Sequence, residues 1–230
     1  GTLRVVASAL LEVPGDPAAK APLGILPLGS VMNVARSLGV PRELEAAAAV
    51  LAAGRTRTID VGVVDGRGPF FEGVAIGLHA ELFAAAADLD RGDAGAPLRG
   101  LREALRYRPS RIELHPVDGP PIRTRALVVS VANGPYVGLA FMVAPGARLD
   151  DGLLDTRIFE RFSRWELLRH FWAIAAGRRR YEPRVRTVRT ACVRIRARPA
   201  MRVRADGEDA GETPTTIRVL PAALKVLVPA

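Results

Sequence analysis

The chain has 230 residues, 49% of them hydrophobic and 25% charged, with a formal net charge of +9 at pH 7. This composition excludes a disordered chain and is typical of one large or two small globular domains. No apolar run reaches the roughly 20 residues that span a bilayer, no signal peptide is recognised, and the single Cys192 cannot form an internal disulfide, so we expect a cytoplasmic protein.

The first 54 residues predict three helices around one buried strand. Helices are predicted over residues 2–11, 31–38 and 41–54, and the apolar stretch PLGILPLG over residues 22–29 predicts a strand. A continuous apolar strand is typical of a parallel sheet that helices cover on both faces, and one strand cannot form a sheet. We therefore expect neighbouring strands in sequence that precedes residue 1.

Beyond residue 54 the pattern changes to alternating apolar and polar residues between Gly, Pro, Asn and Asp turns. This pattern predicts an antiparallel β domain with helical interruptions over residues 80–104 and 164–177. The predicted strands cover residues 55–66, 69–78, 110–117, 124–134, 153–162, 188–198, 200–208 and 215–220.

The strand-to-helix junction LPLGSVMNVARSLGVP, residues 26–41, is the first candidate site. A helix N-terminus presents free backbone N–H groups and a partial positive charge, which suit a phosphate. An ordinary connection with Ser30 as the N-cap explains the same residues, so both interpretations stay open.

The stretch APGARLDDGLLD, residues 144–155, is the second candidate site. Carboxylates and turn carbonyl groups are hard oxygen ligands, so Asp150 or Asp151 could hold Mg²⁺ or Ca²⁺. Asp-Gly is also a plain turn signal, which explains the stretch without a metal.

The stretch MRVRADGEDAGETP, residues 201–214, is the third candidate site. A strand here would place Arg202, Arg204 and Asp206 on one face, with Glu208 just past the Asp-Gly turn. A carboxylate beside arginines could accept the proton of a hydroxyl that attacks a phosphoryl group. A solvated hairpin tip is the alternative.

Much of the positive charge lies in residues 177–204, GRRRYEPRVRTVRTACVRIRARPAMRVR. Such a basic surface favours nucleic acid, nucleotide phosphate or an acidic membrane face as partner. Tyr181 is the only aromatic residue of this segment, too few for a base-stacking platform, so we expect no nucleic acid partner.

Taken together, these motifs resemble those of the bacterial diacylglycerol kinase and sphingosine kinase-like lipid kinases, over the whole chain. That family carries a Gly-Gly-Asp-Gly-Thr nucleotide loop, a Leu-Pro-Leu-Gly-Thr stretch before a helix, an Asp-Asp-Gly-x-Leu-Asp turn, and a late Asp-Gly-Glu before a Pro-x-x-Leu-x-Val ending. The matching stretches here are GT at residues 1–2, the junction at 26–41, DDGLLD at 150–155, ADGE at 205–208 and LPAALKVLVP at 220–229. Each motif is short, and their shared order and separations make the resemblance specific.

The resemblance implies an α/β plus all-β fold. Residues 1–56 would be the C-terminal part of a Rossmann-like nucleotide-binding domain, and residues 57–230 an antiparallel β-sandwich domain, with the active site in the cleft between them. Gly1 and Thr2 would then be the tail of the loop that holds the ATP phosphates, and Ser30 would contact the nucleotide.

The resemblance also implies roles for the two carboxylate turns. Glu208 corresponds to the proton acceptor of the family, and Asp206 is our second choice for that role. Asp151, with the carbonyl groups of Arg148 and Leu153, corresponds to a structural Mg²⁺ site that lies away from the phosphates.

Three features depart from the family pattern. The Gly-Gly-Asp that precedes Gly1 in relatives is absent, so we expect this chain alone to be inactive. Arg4 and Val5 stand where the family commonly has an Asn-Glu pair. An amide, Asn33, stands where many relatives have the carboxylate of a Gly-Asn-Asp stretch.

The sequence therefore predicts a lipid kinase, peripheral to the inner face of the membrane, that transfers the γ-phosphoryl group of ATP to the free hydroxyl of a diacylglycerol-like or sphingoid lipid. Mg²⁺ would accompany the nucleotide, and the arginines of residues 177–204 would draw the protein to an anionic membrane surface. A homodimer is left open. The alternatives are a non-catalytic lipid- or nucleotide-binding module of the same fold, a basic nucleic-acid binder, and an enzyme related to NAD kinases.

Overall fold

The computed structural model describes residues 2–16, 20–29, 31–82, 88, 92–138, 141–160, 165, 166, 169 and 185–229. Most of the predicted helix at 164–177 lies outside these residues. None of the helices in the described ranges has the length and apolar character needed to span a bilayer.

Within the described residues, four helices have defined bounds, and residues 78–82 are helical as well. The four are α1 (Thr2–Glu12), α2 (Asn33–Ser37), α3 (Leu44–Ala53) and α4 (Ala96–Arg106). The alanine-rich α3 ends at Gly54, whose φ of 67° is a left-handed conformation that glycine adopts without strain. The prediction of a first helix is confirmed, whereas α2 is shorter than the predicted helix over 31–38.

The predicted strand over residues 22–29 is wrong as an element. Leu23 alone forms an isolated parallel bridge, to Val226 near the end of the chain. Its N–H donates to Lys225 O at 2.9 Å, and its carbonyl accepts from Leu227 N at 3.0 Å. The apolar stretch therefore reaches the sheet at one point. Ile25 is buried, whereas Leu26 and Leu28 are exposed.

Thirteen strands cover most of the remaining described chain. They are β1 (Thr56–Val64), β2 (Gly68–Phe70), β3 (Gly73–Gly77), β4 (Ser110–Pro116), β5 (Ile122–Ala132), β6 (Tyr136–Val137), β7 (Phe141–Met142), β8 (Leu154–Glu160), β9 (Val185–Thr190), β10 (Cys192–Arg198), β11 (Arg202–Ala205), β12 (Glu208–Glu212) and β13 (Thr215–Leu227). The pairings between them are antiparallel, as the alternating sequence pattern predicts.

Eleven of the strands form one sheet in the order β12-β11-β3-β5-β4-β10-β13-β1-β2, with β8 branching from β5 and β9 pairing with β8. The short β6 and β7 pair with each other. Phe70 in β2 and Ala210 in β12 come from opposite ends of this strand order, yet both belong to one buried apolar cluster. The sheet therefore curls until its ends share a core, which is the predicted β-sandwich.

A second apolar core joins the helices to the sandwich. Ala7 of α1, Val34 of α2 and Ala47 of α3 pack with Ile59 of β1 and Val226 of β13. The helical part therefore lies against the β1 and β13 strands, and the boundary between the two parts runs beside this cluster.

Candidate active site

A cavity of about 740 Å³ lies where the helical part meets the sandwich. The helical part contributes residues of α1, of the 23–29 segment and of α2, and the sandwich contributes Phe71, Glu72 and Asp206. The junction at residues 26–41 and Asp206, from the hairpin between β11 and β12 (the late hairpin), therefore line the same cavity, although about 170 residues separate them in the sequence.

The hairpin between β11 and β12 turns at two residues. Asp206 and Gly207 have φ values of 48° and 84°, which is the left-handed pair that a two-residue hairpin turn requires. Ala205 pairs with Glu208 across the turn. The Asp-Gly turn predicted from the sequence is confirmed.

Asp206 leaves the strand and binds the chain between β2 and β3. Its Oδ2 accepts from Phe71 N at 2.7 Å, and its Oδ1 accepts from Glu72 N at 2.9 Å and Gly73 N at 3.0 Å. The expectation that Asp206 shares a face with Arg202 and Arg204 is wrong, because the strand ends at Ala205. Burial raises the pKa of Asp206, and the three N–H donors oppose that rise.

Glu72 joins three segments at the cavity wall. Its Oε2 accepts from Asn33 Nδ2 at 2.7 Å and from Gly138 N at 3.2 Å, and Asn33 Nδ2 also donates to Gly138 O at 2.7 Å. Burial is the main cause that raises the pKa of Glu72 to about 7, with a further contribution from the Asp206 carboxylate. A carboxyl group that titrates near neutral pH therefore lines the cavity.

Positive charge enters the cavity from α1. Arg4 lines it beside Thr2, the first residue of that helix, and the Arg4 guanidinium acts on the Asp206 carboxylate to lower its pKa. A helix N-terminus and an arginine on one wall are an arrangement that favours phosphate.

The remaining residues predicted for the active site are Gly1, Ser30 and Glu208. Gly1 and Ser30 lie outside the described residues, although Gly29 on one side of Ser30 lines the cavity. Glu208 is exposed at the first position of β12 and is not among the residues that line the cavity. The assignment of Glu208 as proton acceptor stays a prediction.

The second candidate turn is built on Asp60 of β1. The Asp60 carboxylate is buried and accepts from Gly152 N at 2.7 Å and from Ala222 N at 2.8 Å. It thereby fixes the turn that carries Arg148, Asp151 and Leu153 against the bend in β13.

The same turn was predicted to bind Mg²⁺. Asp151 Oδ1 accepts from Leu153 N at 3.1 Å, and Asp151 Oδ2 pairs with the Arg189 guanidinium of β9. Arg189 Nε also lies 3.5 Å from the buried Asp155 carboxylate. In the described residues no three His, Cys, Asp or Glu side chains form a metal-binding group. As arranged, the turn does not fit Mg²⁺, because a guanidinium holds the one carboxylate that would bind it.

The sequence analysis missed Glu72 and Asp60 as structural centres. Each carried one signal, a single carboxylate inside an apolar strand pattern: FFEGVAIG around Glu72 and TIDVGVV around Asp60. A buried carboxylate requires hydrogen-bond donors, so a single carboxylate in an apolar strand pattern indicates that donors lie close to it in the fold. The partners themselves lie 39 and more residues away and could not be read from the sequence.

Two family profiles match the chain. The family profile described as YegS C-terminal NAD kinase beta sandwich-like domain matches residues 73–228, and the profile described as diacylglycerol kinase catalytic domain matches residues 1–64. The predicted division of the chain between residues 56 and 57 stays a prediction. A crystal structure of a diacylglycerol kinase from Bacillus anthracis str. Sterne has the same fold, with a TM-score of 0.72 at 19% identity over 99% of this chain and 73% of that chain.

Two curated proteins are similar along nearly the whole chain. The diacylglycerol kinase of Mycobacterium tuberculosis (strain ATCC 25618 / H37Rv) is 32% identical over 98% of this chain and 74% of its own length. A protein of Pseudomonas aeruginosa (strain UCBPP-PA14) named probable lipid kinase YegS-like is 32% identical over 100% of this chain and 74% of its own length. The chain therefore belongs to the family of diacylglycerol kinases and YegS-like lipid kinases.

Proposed function

We propose that the protein is a lipid kinase that transfers the γ-phosphoryl group of ATP to a lipid hydroxyl in the cavity between its two parts. The observation that carries the proposal is the wall of this cavity, which Thr2 and Arg4 of α1 form together with Asp206 and Glu72 of the sandwich. Phosphoryl transfer depends mainly on positioning and on neutralising charge, and this wall supplies both.

The nucleotide is proposed to lie against the α1 side. The N-terminal N–H groups of α1 and the Arg4 guanidinium would neutralise phosphate oxygens, and Gly1 and Ser30 keep their predicted nucleotide contacts. Mg²⁺ bound to the triphosphate would add to this neutralisation. The Mg²⁺ site predicted at Asp151 has no part in the proposed reaction.

The late hairpin is proposed to supply the proton acceptor. Glu208, two residues past the cavity-lining Asp206, would take the proton of a lipid hydroxyl bound at the edge of the cavity while the hydroxyl oxygen forms a bond to the γ-phosphorus. The bond from that phosphorus to its bridging oxygen then breaks, and the electron pair leaves with ADP. Asp206, bound to three backbone N–H groups, would hold the hairpin tip at the cavity.

The test compares Glu208→Gln with Asp209→Asn, its exposed neighbour on the same hairpin, in the full-length protein as the source organism makes it. Transfer of radiolabel from γ-labelled ATP to diacylglycerol and to sphingosine in mixed micelles is the readout. We expect transfer by the wild type, a kcat lower by about 100-fold in Glu208→Gln, and little change in Asp209→Asn. An unchanged kcat in Glu208→Gln would refute the base assignment. Nucleotide binding without transfer to either lipid would favour the non-catalytic module.

Attachment to an anionic membrane is the second part of the proposal, and the outer face of β10, β4 and β5 supports it. Arg198 of β10 lies opposite Arg111 of β4, which lies opposite Arg125 of β5. All three are exposed, and none of them forms an ion pair within the described part of the chain. Like charges directly opposite each other destabilise a sheet, so this row is better explained by an anionic partner than by stability.

Flotation with vesicles of phosphatidylcholine and phosphatidylserine tests this face. Each well-placed arginine contributes about 1 kcal/mol, so replacing Arg111 and Arg198 by Gln should weaken binding by about tenfold or more. The control replaces Arg57 and Arg148 by Gln, because these two share the Asp150 carboxylate. Binding that is independent of salt, or equal loss in both double variants, would exclude this docking face.

A further inference from the structure

Glu72 and Asn33 line the cavity and bind each other, and the proposed reaction gives neither of them a role. Asn33 begins α2 and is buried, and Glu72 belongs to the link between β2 and β3. Their side chains meet at 2.7 Å, and Gly138, at the end of the β6 segment, donates to the same carboxylate oxygen. The pair therefore ties the helical part to two separate segments of the sandwich, directly at the cavity.

Groups around Glu72 act on its pKa in opposite directions. Asp206 approaches from the hairpin and raises the pKa of Glu72, whereas Asn33 and the Gly138 N–H lower it. Arg4 lines the same cavity from α1. The hydrogen bonds from Asn33 Nδ2 and Gly138 N are both accepted by Glu72 Oε2. The group is therefore a carboxylate anchored through one oxygen, in a residue that lines the cavity.

Stability alone does not explain a glutamate here. A glutamine at position 72 could accept the same two hydrogen bonds through its carbonyl oxygen without burying a charge. The chain also carries an amide at position 33, where the family pattern given above has a carboxylate. The pair thus keeps one carboxylate, and the sandwich supplies it through Glu72.

We propose that Glu72 is a positioning residue of the phosphoryl transfer: its carboxylate holds Asn33 and the start of α2 against the sandwich and takes the place of an acid at position 33. This inference rests on the proposed lipid kinase function. Because the proposed role requires both the hydrogen bond and one carboxylate in it, exchanging the acid and the amide across the same hydrogen bond should preserve most of the activity.

The experiment uses Glu72→Gln, Asn33→Asp and the double variant with both changes, in the full-length protein. We expect Glu72→Gln to keep or raise the Tm at pH 8 and to lower kcat/KM for the lipid by about tenfold, since loss of alignment is costly. The activity of the wild type should rise with pH near 7, and Glu72→Gln should lack this rise. Asn33→Asp should lower both Tm and activity, because two carboxylates then face each other. The double variant should regain Tm and most of the activity. Glu113→Gln, a charge change at a half-buried position of β4 outside the cavity, is the control, and its activity should match that of the wild type.

The outcomes separate the two proposals. If the wild type transfers phosphate and Glu72→Gln keeps the wild-type rate and pH profile, the role of Glu72 is overturned while the proposed function stands. The same holds if the double variant stays as slow as Glu72→Gln. Should Asn33→Asp fail to fold, the comparison of Glu72→Gln with the wild type across pH still decides. If the wild type transfers no phosphate to lipid, the proposed function fails and the role of Glu72 with it, and the Tm values then report the contact only.

Discussion

The ring of Phe70 lies over Gly62, its direct cross-strand partner in the β1 and β2 pairing. Phe70 is fully buried in the sandwich core, and a Cβ added at Gly62 would overlap the ring. The glycine is therefore required by the aromatic side chain that covers it, rather than by its backbone conformation.

Replacing Gly62 by Ala should lower the free energy of unfolding by about 3 kcal/mol, because the core cannot accept the extra methyl group without moving the ring. Urea denaturation measures this loss. Gly146→Ala is the matched control, since no atom lies within 4 Å of a Cβ placed there. Adding Phe70→Leu to Gly62→Ala should recover part of the loss, and a double variant with purely additive losses would show that the overlap is not the cause.

Asp60→Asn should destabilise the protein by about 3 kcal/mol. The amide offers one acceptor oxygen, while the buried Asp60 carboxylate serves two N–H groups, at Gly152 and Ala222. The measurement is again urea denaturation, with Asp65→Asn as the control because Asp65 is exposed and pairs with Arg218 at the surface. Equal effects of the two substitutions would mean that Asp60 does not fix the turn.

Asp206→Asn should cost about 2 kcal/mol or more, because one of the N–H groups of residues 71–73 then faces an amide N–H₂ group. The hairpin tip should loosen first, which hydrogen exchange at Phe71 and Gly73 would detect. Asp209→Asn on the same hairpin is exposed and should stay within about 0.5 kcal/mol of the wild type. Unchanged exchange at Phe71 would contradict this clamp.

What could be predicted from the sequence depends on whether an interaction is local or joins distant parts of the chain. The β-sandwich and the Asp-Gly turn were predictable, because strand periodicity and the left-handed turn at Asp206 and Gly207 are local properties. The direction of the Asp206 carboxylate was not, because its donors lie more than 130 residues earlier in the chain. Apolar composition over 22–29 misled the strand assignment, since Leu23 alone bridges to β13 and the apolar side chains of Leu26 and Leu28 are exposed.

The Arg189 guanidinium should supply the positive charge that a divalent cation would supply at the turn of Asp151. Its guanidinium pairs with Asp151 and lies beside Asp155, whose pKa is raised chiefly by burial. We therefore expect millimolar Mg²⁺ to leave the Tm of the wild type unchanged. Arg189→Gln should lower the Tm and make it rise on addition of Mg²⁺, because two carboxylates are then left without a cation.

Arg186→Gln is the control for this test, since Arg186 lies on the same strand and pairs with Glu160 instead. A Tm of the wild type that rises with Mg²⁺ would support the predicted metal site at Asp151 and argue against the replacement by Arg189.

Glu72 should make the stability of the protein depend on pH in a recognisable direction. Its pKa is raised from 4.5 to about 7 in the folded state, mainly by burial. The folded state therefore binds the proton more tightly than the unfolded state between these values, so the free energy of unfolding falls as pH rises from about 4.5 to 7. The loss attributable to this group is about 3 kcal/mol at pH 8.

Glu72→Gln removes this titration, and its stability relative to the wild type should increase by that amount between pH 4.5 and 8 in urea denaturation. Glu113→Gln gives a control of opposite sign, because Arg123 lowers the pKa of Glu113 and its charge is favourable when folded. That variant should lose stability relative to the wild type as pH rises. A difference between Glu72→Gln and the wild type that stays constant over this range would mean that Glu72 keeps an ordinary pKa, and that the cavity wall is better hydrated than its burial indicates.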